Sequence, residues 1–114
     1  VPSREFALRV QDILAEIAVV EEIITDLSME AFSQNRQALR AVLYSLAVIG
    51  EAVASAIADL EAAEPTIPWH QIRGMRNAVI HEYFRVDVEI IWETARSDLP
   101  ILKEALQRIL GYDS

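Results

Sequence analysis

Two side chains of complementary chemistry stand five residues apart in the segment Arg76-Asn77-Ala78-Val79-Ile80-His81-Glu82-Tyr83. An imidazole of ordinary basicity exchanges a proton near neutral pH, which makes histidine the usual general acid–base group. A guanidinium does no proton transfer, but its planar fork grips phosphate oxygens at two points and stabilises charge building on them. Together they suffice for cleaving RNA without a metal. One imidazole takes the proton of a ribose 2′-OH, the guanidinium holds the phosphorus-centred anion, and an acid protonates the departing 5′-oxygen. One chain offers a single well-placed histidine for these two proton transfers, and a two-fold dimer would supply the second. The chemistry therefore asks for a homodimer with its site at the interface. The same spacing also occurs in helices where both residues only pack, so spacing alone decides nothing.

On a regular helix a five-residue step turns about 500°, which leaves Arg76 and His81 roughly 140° apart, loosely on one side. They are expected to flank a groove rather than to pair. Tyr83 would project about 200° from His81 on the same helix.

The elements that must hold this segment read as helices. Phe6, Val10, Ile13, Ile17, Val20, Ile24 and Leu27 step by fours and threes, which predicts a helix over 3–27. Leu8, Ala15, Val19 and Ile23 add a second apolar stripe, so this helix is expected to bury more than one side. Ser28 to Phe32 reads as a cap and short connector. Leu39, Val42, Leu46, Ile49, Val53, Ala56 and Leu60 repeat the stepping and predict one long helix over 35–61. Within it Gly50, Ala54 and Ala58 form a small-residue row where another helix can approach closely. A mid-helix glycine otherwise costs about 1 kcal/mol against alanine. Glu51 stands among Val48, Ile49, Ala52 and Val53, where a carboxylate is costly to bury unpaired. Arg76 is its first candidate partner, and a solvent-facing position is the alternative.

Pro65-Thr66-Ile67-Pro68 separates these helices from the one carrying the arginine and histidine, predicted over 70–83 with Ile72, Met75, Val79 and Phe84 inward. Trp69 is expected to anchor the loop and His70 to lie at the surface. Asp87 can cap a helix over 88–97, on which Ile90, Ile91 and Trp92 supply core or interface. Asp98-Leu99-Pro100 is a helix start or a kink, and a last helix over 101–110 ends at Gly111. No stretch alternates like a strand. The expected fold is all-α, an antiparallel bundle of four to five helices forming a single domain over 1–114.

The chain has 114 residues and no cysteine, which excludes disulfides and thiolate metal sites. His70 and His81 are not at metal-ligand spacing, so neither a dedicated metal nor a cofactor is expected. Val1-Pro2-Ser3-Arg4-Glu5 lacks the layout of a signal peptide, and a cytoplasmic protein is the simplest reading. Ala41 to Ala58 is apolar, but Glu51 lies inside it; it reads as a buried helix, with no membrane role. The net charge of −8 opposes broad nucleic-acid binding, yet residues 66–86 carry +2 and the rest −10. An acidic body with one basic segment fits a small site acting on a nucleic-acid end or loop. It fits a protein-partner surface equally well.

Gly74-Met75-Arg76-Asn77 followed by His81-Glu82-Tyr83 resembles the R-x4-H-x-Y signature of HEPN-domain ribonuclease toxins, in their HepT-like branch. Ile49-Gly50-Glu51-Ala52 resembles the IGEA segment of that family. Pro65-Thr66-Ile67-Pro68-Trp69 resembles its P-x-IPW loop, and Trp92 with Asp98-Leu99-Pro100 its W…DLP tail. The four motifs occur in order across nearly the whole chain.

The resemblance implies a toxin of a type VII-like toxin–antitoxin system, a metal-independent endoribonuclease that cleaves tRNA or mRNA as a homodimer or higher oligomer. It implies Arg76 and His81 as catalytic residues, with Asn77 and Glu51 in support. It further implies that a cognate minimal nucleotidyltransferase antitoxin transfers AMP to Tyr83. A bulky anion beside Arg76 would then occupy the charge meant for substrate phosphate. The rival reading is a non-catalytic helical partner of such a nucleotidyltransferase.

Overall fold

The computed structural model describes residues 2–81 and 87–112, with the backbone alone described at 80 and 81. Among these residues every regular element is helical, in agreement with the all-α bundle that the periodicity predicts. The first helix, α1 (Arg4–Ile24), begins where the Ser3 side chain accepts a hydrogen bond from Phe6 N at 3.2 Å. Its heptad residues Phe6, Val10, Ile13, Ile17, Val20 and Ile24 are all buried. The expected second stripe is not: Leu8 and Val19 are 51% and 41% exposed, and only Ile23 packs partly against the core. The helices that pack on α1 are chiefly α3 (Arg36–Ser55) and α8 (Leu99–Leu110). Among the described residues their side chains leave that second arc uncovered. Lys103 fixes α8 to α1 by donating to both carboxylate oxygens of Glu21, at 3.2 and 3.1 Å.

The expected connector is itself a helix, α2 (Met29–Gln34), capped by Ser28. It buries Phe32, whose ring lies 5.3 Å from that of Trp92. Asn35 then ends α2 and starts α3 (Arg36–Ser55), its side chain accepting from Ala38 N at 2.9 Å. Asn35→Ala should therefore cost about 1 kcal/mol of stability in urea titration, the usual loss when a good N-cap is removed.

The central element is α3. It packs on α1, α2, α4 (Ile57–Ala63), α5 (Trp69–Arg73) and α6 (Met75–His81) and buries Val42, Leu46, Ile49 and Val53 completely or nearly so. Among the described residues it is also the one helix long and apolar enough to cross a membrane. It ends earlier than expected. The Ser55 hydroxyl donates to Ala52 O at 2.7 Å, and Ala56 N turns to Val53 O instead of continuing the ladder. The single helix predicted over 35–61 is thus two, α4 (Ile57–Ala63) following a non-helical Ala56 (φ −133°, ψ 23°), with Leu60 buried. The small-residue row is broken with it: Ala58 is exposed on α4.

Trp69 anchors the proline loop as expected, 1% exposed, with its indole N–H donating to Glu64 O at 2.9 Å. It opens α5 (Trp69–Arg73), which a turn at Gly74 separates from α6 (Met75–His81). The helix predicted over 70–83 is therefore divided at its glycine, the weakest helix former in the segment. Further on, α7 (Val88–Glu93) is capped by Asp87 and runs through a π-helical turn, Thr94–Asp98, into α8 (Leu99–Leu110). The last helices are thus joined rather than separate. Pro100 has no N–H to give, and the wider turn just before it absorbs the register change. Gly111 closes α8 in the left-handed conformation, φ 79°.

Candidate functional site

Two chain segments cross at almost the smallest separation that backbones allow. A Cβ placed on Gly50 would lie 2.9 Å from Arg76 N and 3.2 Å from the carbonyl oxygens of Arg73 and Ile72. All three are backbone atoms, so no flexible side chain can give way. The absence of a side chain at Gly50 lets the start of α6 lie directly on α3. The next residue on α3, Glu51, reaches across this crossing and accepts a hydrogen bond from the Arg76 guanidinium. The partner named for Glu51 is correct, while the reason given for it is not. Glu51 and Arg76 are 60% and 44% exposed, so the pair is a surface one rather than a rescued buried charge.

An exposed ion pair of this kind contributes about 0–1 kcal/mol to stability. Its consequence is orientation. The guanidinium is held at the crossing by one carboxylate and stays partly open to solvent. Asn77, next on α6, is also exposed. His81 is the last residue of α6, five residues after Arg76 on the same short helix. Its side chain lies outside the described residues, as do Tyr83 and Phe84 entirely. Ile72, Met75 and Val79 are partly buried, as expected. His70 lies at the surface as expected, its Nε2 3.2 Å from the Glu61 carboxylate.

The motif segments that are far apart in sequence meet here. Ile67 and Pro68 of the proline loop, Met75 beside Arg76, and Asp98 and Leu99 at the start of the last helix line a single cleft. The Gly50–Glu51 segment approaches Arg76 from the other helix. The proline loop and the Asp-Leu-Pro turn thus support the segment that carries Arg76, on the side facing α8. Spacing in the sequence does not single out Tyr44. It is 70% exposed and sits two turns before Glu51 on α3, and its signal lay in the helical register alone.

These features define a helical bundle that presents an oriented arginine over a close helix crossing, with a histidine at the end of the same short helix. The family described as ribonuclease HepT-like matches residues 13–109, and the chain belongs to it. A provisionally named RNase of Methanocaldococcus jannaschii is 35% identical over 109 residues, covering 96% of this chain and 94% of its own. A provisionally named ribonuclease HepT of Thermococcus cleftensis is 34% identical over 99 residues, 87% of this chain and 90% of its own. A provisionally named RNase of Caldanaerobacter subterraneus is 37% identical over 100 residues, 88% and 89% of the two chains. No solved structure matches the chain significantly.

Proposed function

We propose that the chain is a metal-independent endoribonuclease that works as a homodimer, with Arg76 and His81 as its catalytic residues. The observation that carries this reading is the Glu51–Arg76 pair at the Gly50 crossing, on the helix that ends at His81. Membership of the HepT-like family supports it. The ribose 2′-oxygen attacks phosphorus and its proton passes to an imidazole. The P–O5′ bond breaks, and the second subunit's imidazole returns a proton to the 5′-oxygen. Arg76 stabilises the anionic phosphorane-like transition state. Glu51 positions the guanidinium, and Asn77 lies near enough on α6 to orient a phosphate or ribose group. In this reading the chain is the toxin of a toxin–antitoxin pair. The partner is a minimal nucleotidyltransferase that silences it by transferring AMP to Tyr83.

The test is incubation of the purified chain with tRNA and mRNA in EDTA. Products ending in 2′,3′-cyclic phosphate and 5′-OH support the reading. Tight binding to the transferase with no cleavage by unmodified protein would replace it with the non-catalytic partner. Intact mass with and without the transferase reports the AMP addition.

Glu51 gives a graded prediction. Glu51→Ala should lower kcat/KM about tenfold, well under the loss expected for removing the anion-stabilising donor itself. Glu51→Gln should recover part of it, because an amide oxygen still accepts from the guanidinium. The melting temperature of both variants should stay near that of wild type, since the pair is exposed.

A further inference from the structure

Tyr44 is the most exposed of the large apolar residues described, at 70%, yet it sits on the helix that forms the centre of the core. Seven residues along α3 turn about 700°, so Tyr44 stands about 20° from Glu51 on the helix wheel and about 10.5 Å from it along the axis. Gln37, Arg40 and Ser55 are exposed and Val48 half-buried on the same strip, while Val42, Leu46, Ile49 and Val53 fill the opposite, buried arc. The tyrosine ring therefore shares its face with the Glu51–Arg76 pair.

Positive charge is concentrated on the helices around the same crossing. The three helices that meet at the crossing, α3, α5 and α6, carry Arg36, Arg40, Arg73 and Arg76 against Glu51 alone, a formal +3. With −8 on the whole chain, the remainder carries −11. The strip is polar around its one aromatic. Unpaired bases stack on exposed aromatic faces whose neighbours are cationic.

We propose that Tyr44 is a stacking platform for an unpaired base of the RNA substrate. Its distance from Glu51 along α3 corresponds to roughly three stacked nucleotides at 3.4 Å each, counted from the phosphate held at Arg76. This rests on the ribonuclease reading above and adds to it a preference for single-stranded segments that extend beyond the cleaved bond.

The test uses the full chain as wild type, Tyr44→Ala and Tyr44→Phe. Binding to a short single-stranded RNA, made uncleavable by 2′-O-methylation, is followed by fluorescence anisotropy. Tyr44→Ala should weaken binding about 5- to 100-fold, and Tyr44→Phe should bind like wild type because the ring face carries the contact. On cleavable RNA, Tyr44→Ala should raise KM with kcat unchanged. A dinucleotide too short to reach the ring should be cut equally by all three proteins.

Wild-type affinity in Tyr44→Ala, with wild-type cleavage intact, would overturn the platform and leave the ribonuclease standing. A fall in oligomeric state on sedimentation of Tyr44→Ala would also overturn it and assign the ring to contacts between copies. If the wild type neither binds nor cuts RNA, the ribonuclease reading fails first, and the platform with it.

Discussion

Replacing His81 by alanine should lower RNA cleavage by about 10²–10⁴-fold, the range that a positioned acid–base group supplies. His70, the other histidine, stands on α5 beside Glu61 and has no part in this site. Circular dichroism, urea stability and sedimentation of His81→Ala should match wild type. Cleavage retained within a few-fold would remove the histidine from the mechanism. The dimer makes a sharper demand. If both imidazoles of a pair are needed for one cut, adding inactive His81→Ala subunits to wild type should reduce activity as the square of the wild-type fraction. A linear decline would mean that each subunit works alone.

The second large effect concerns Gly50. By helix propensity alone, Gly50→Ala should stabilise α3 by about 1 kcal/mol. The crossing reverses the sign. The new methyl would meet Arg76 N at 2.9 Å and two carbonyl oxygens at 3.2 Å, and main chain cannot swing aside as a side chain can. Overpacking of this kind costs about 1–3 kcal/mol, so a net loss of up to about 2 kcal/mol is expected in urea titration.

Activity should fall more than stability does. Relief of the clash must lift the start of α6, and with it the Arg76 backbone, away from α3 and Glu51. Misplacement of a catalytic group by about 1 Å can cost about 10²-fold in rate. A Gly50→Ala protein that is more stable than wild type and cuts RNA normally would show that the crossing has room to spare.

The helices were legible because their causes are local. A residue's place in a three-and-four repeat depends only on its neighbours in the chain, so Phe6 to Ile24 and Val42 to Val53 announce their buried faces without reference to anything distant. Ser28, Asp87 and Gly111 announce helix ends for the same reason, since each cap acts within a few residues of itself. Arg76, His81, Asn77 and Glu51 could be named as candidates from residue chemistry and resemblance.

What the chain alone could not decide is how much of each helix surface finds a neighbour. Leu8 and Val19 look as apolar as Val10 and Val20, but α3 and α8 cover only one arc of α1. Glu51 looked threatened by its apolar neighbours and proved exposed, because those neighbours turn toward the core and it does not. The break after Ser55 lies where its hydroxyl bonds Ala52 O, the carbonyl that the Ala56 amide would meet in a continuing helix. Gly50 could be read as a place of close approach, but only the folded chain shows that the backbone arriving there is that of Arg73 and Arg76. Periodicity within a helix is written in consecutive residues. Which two helices touch, and at which atom, depends on the packing of all of them at once.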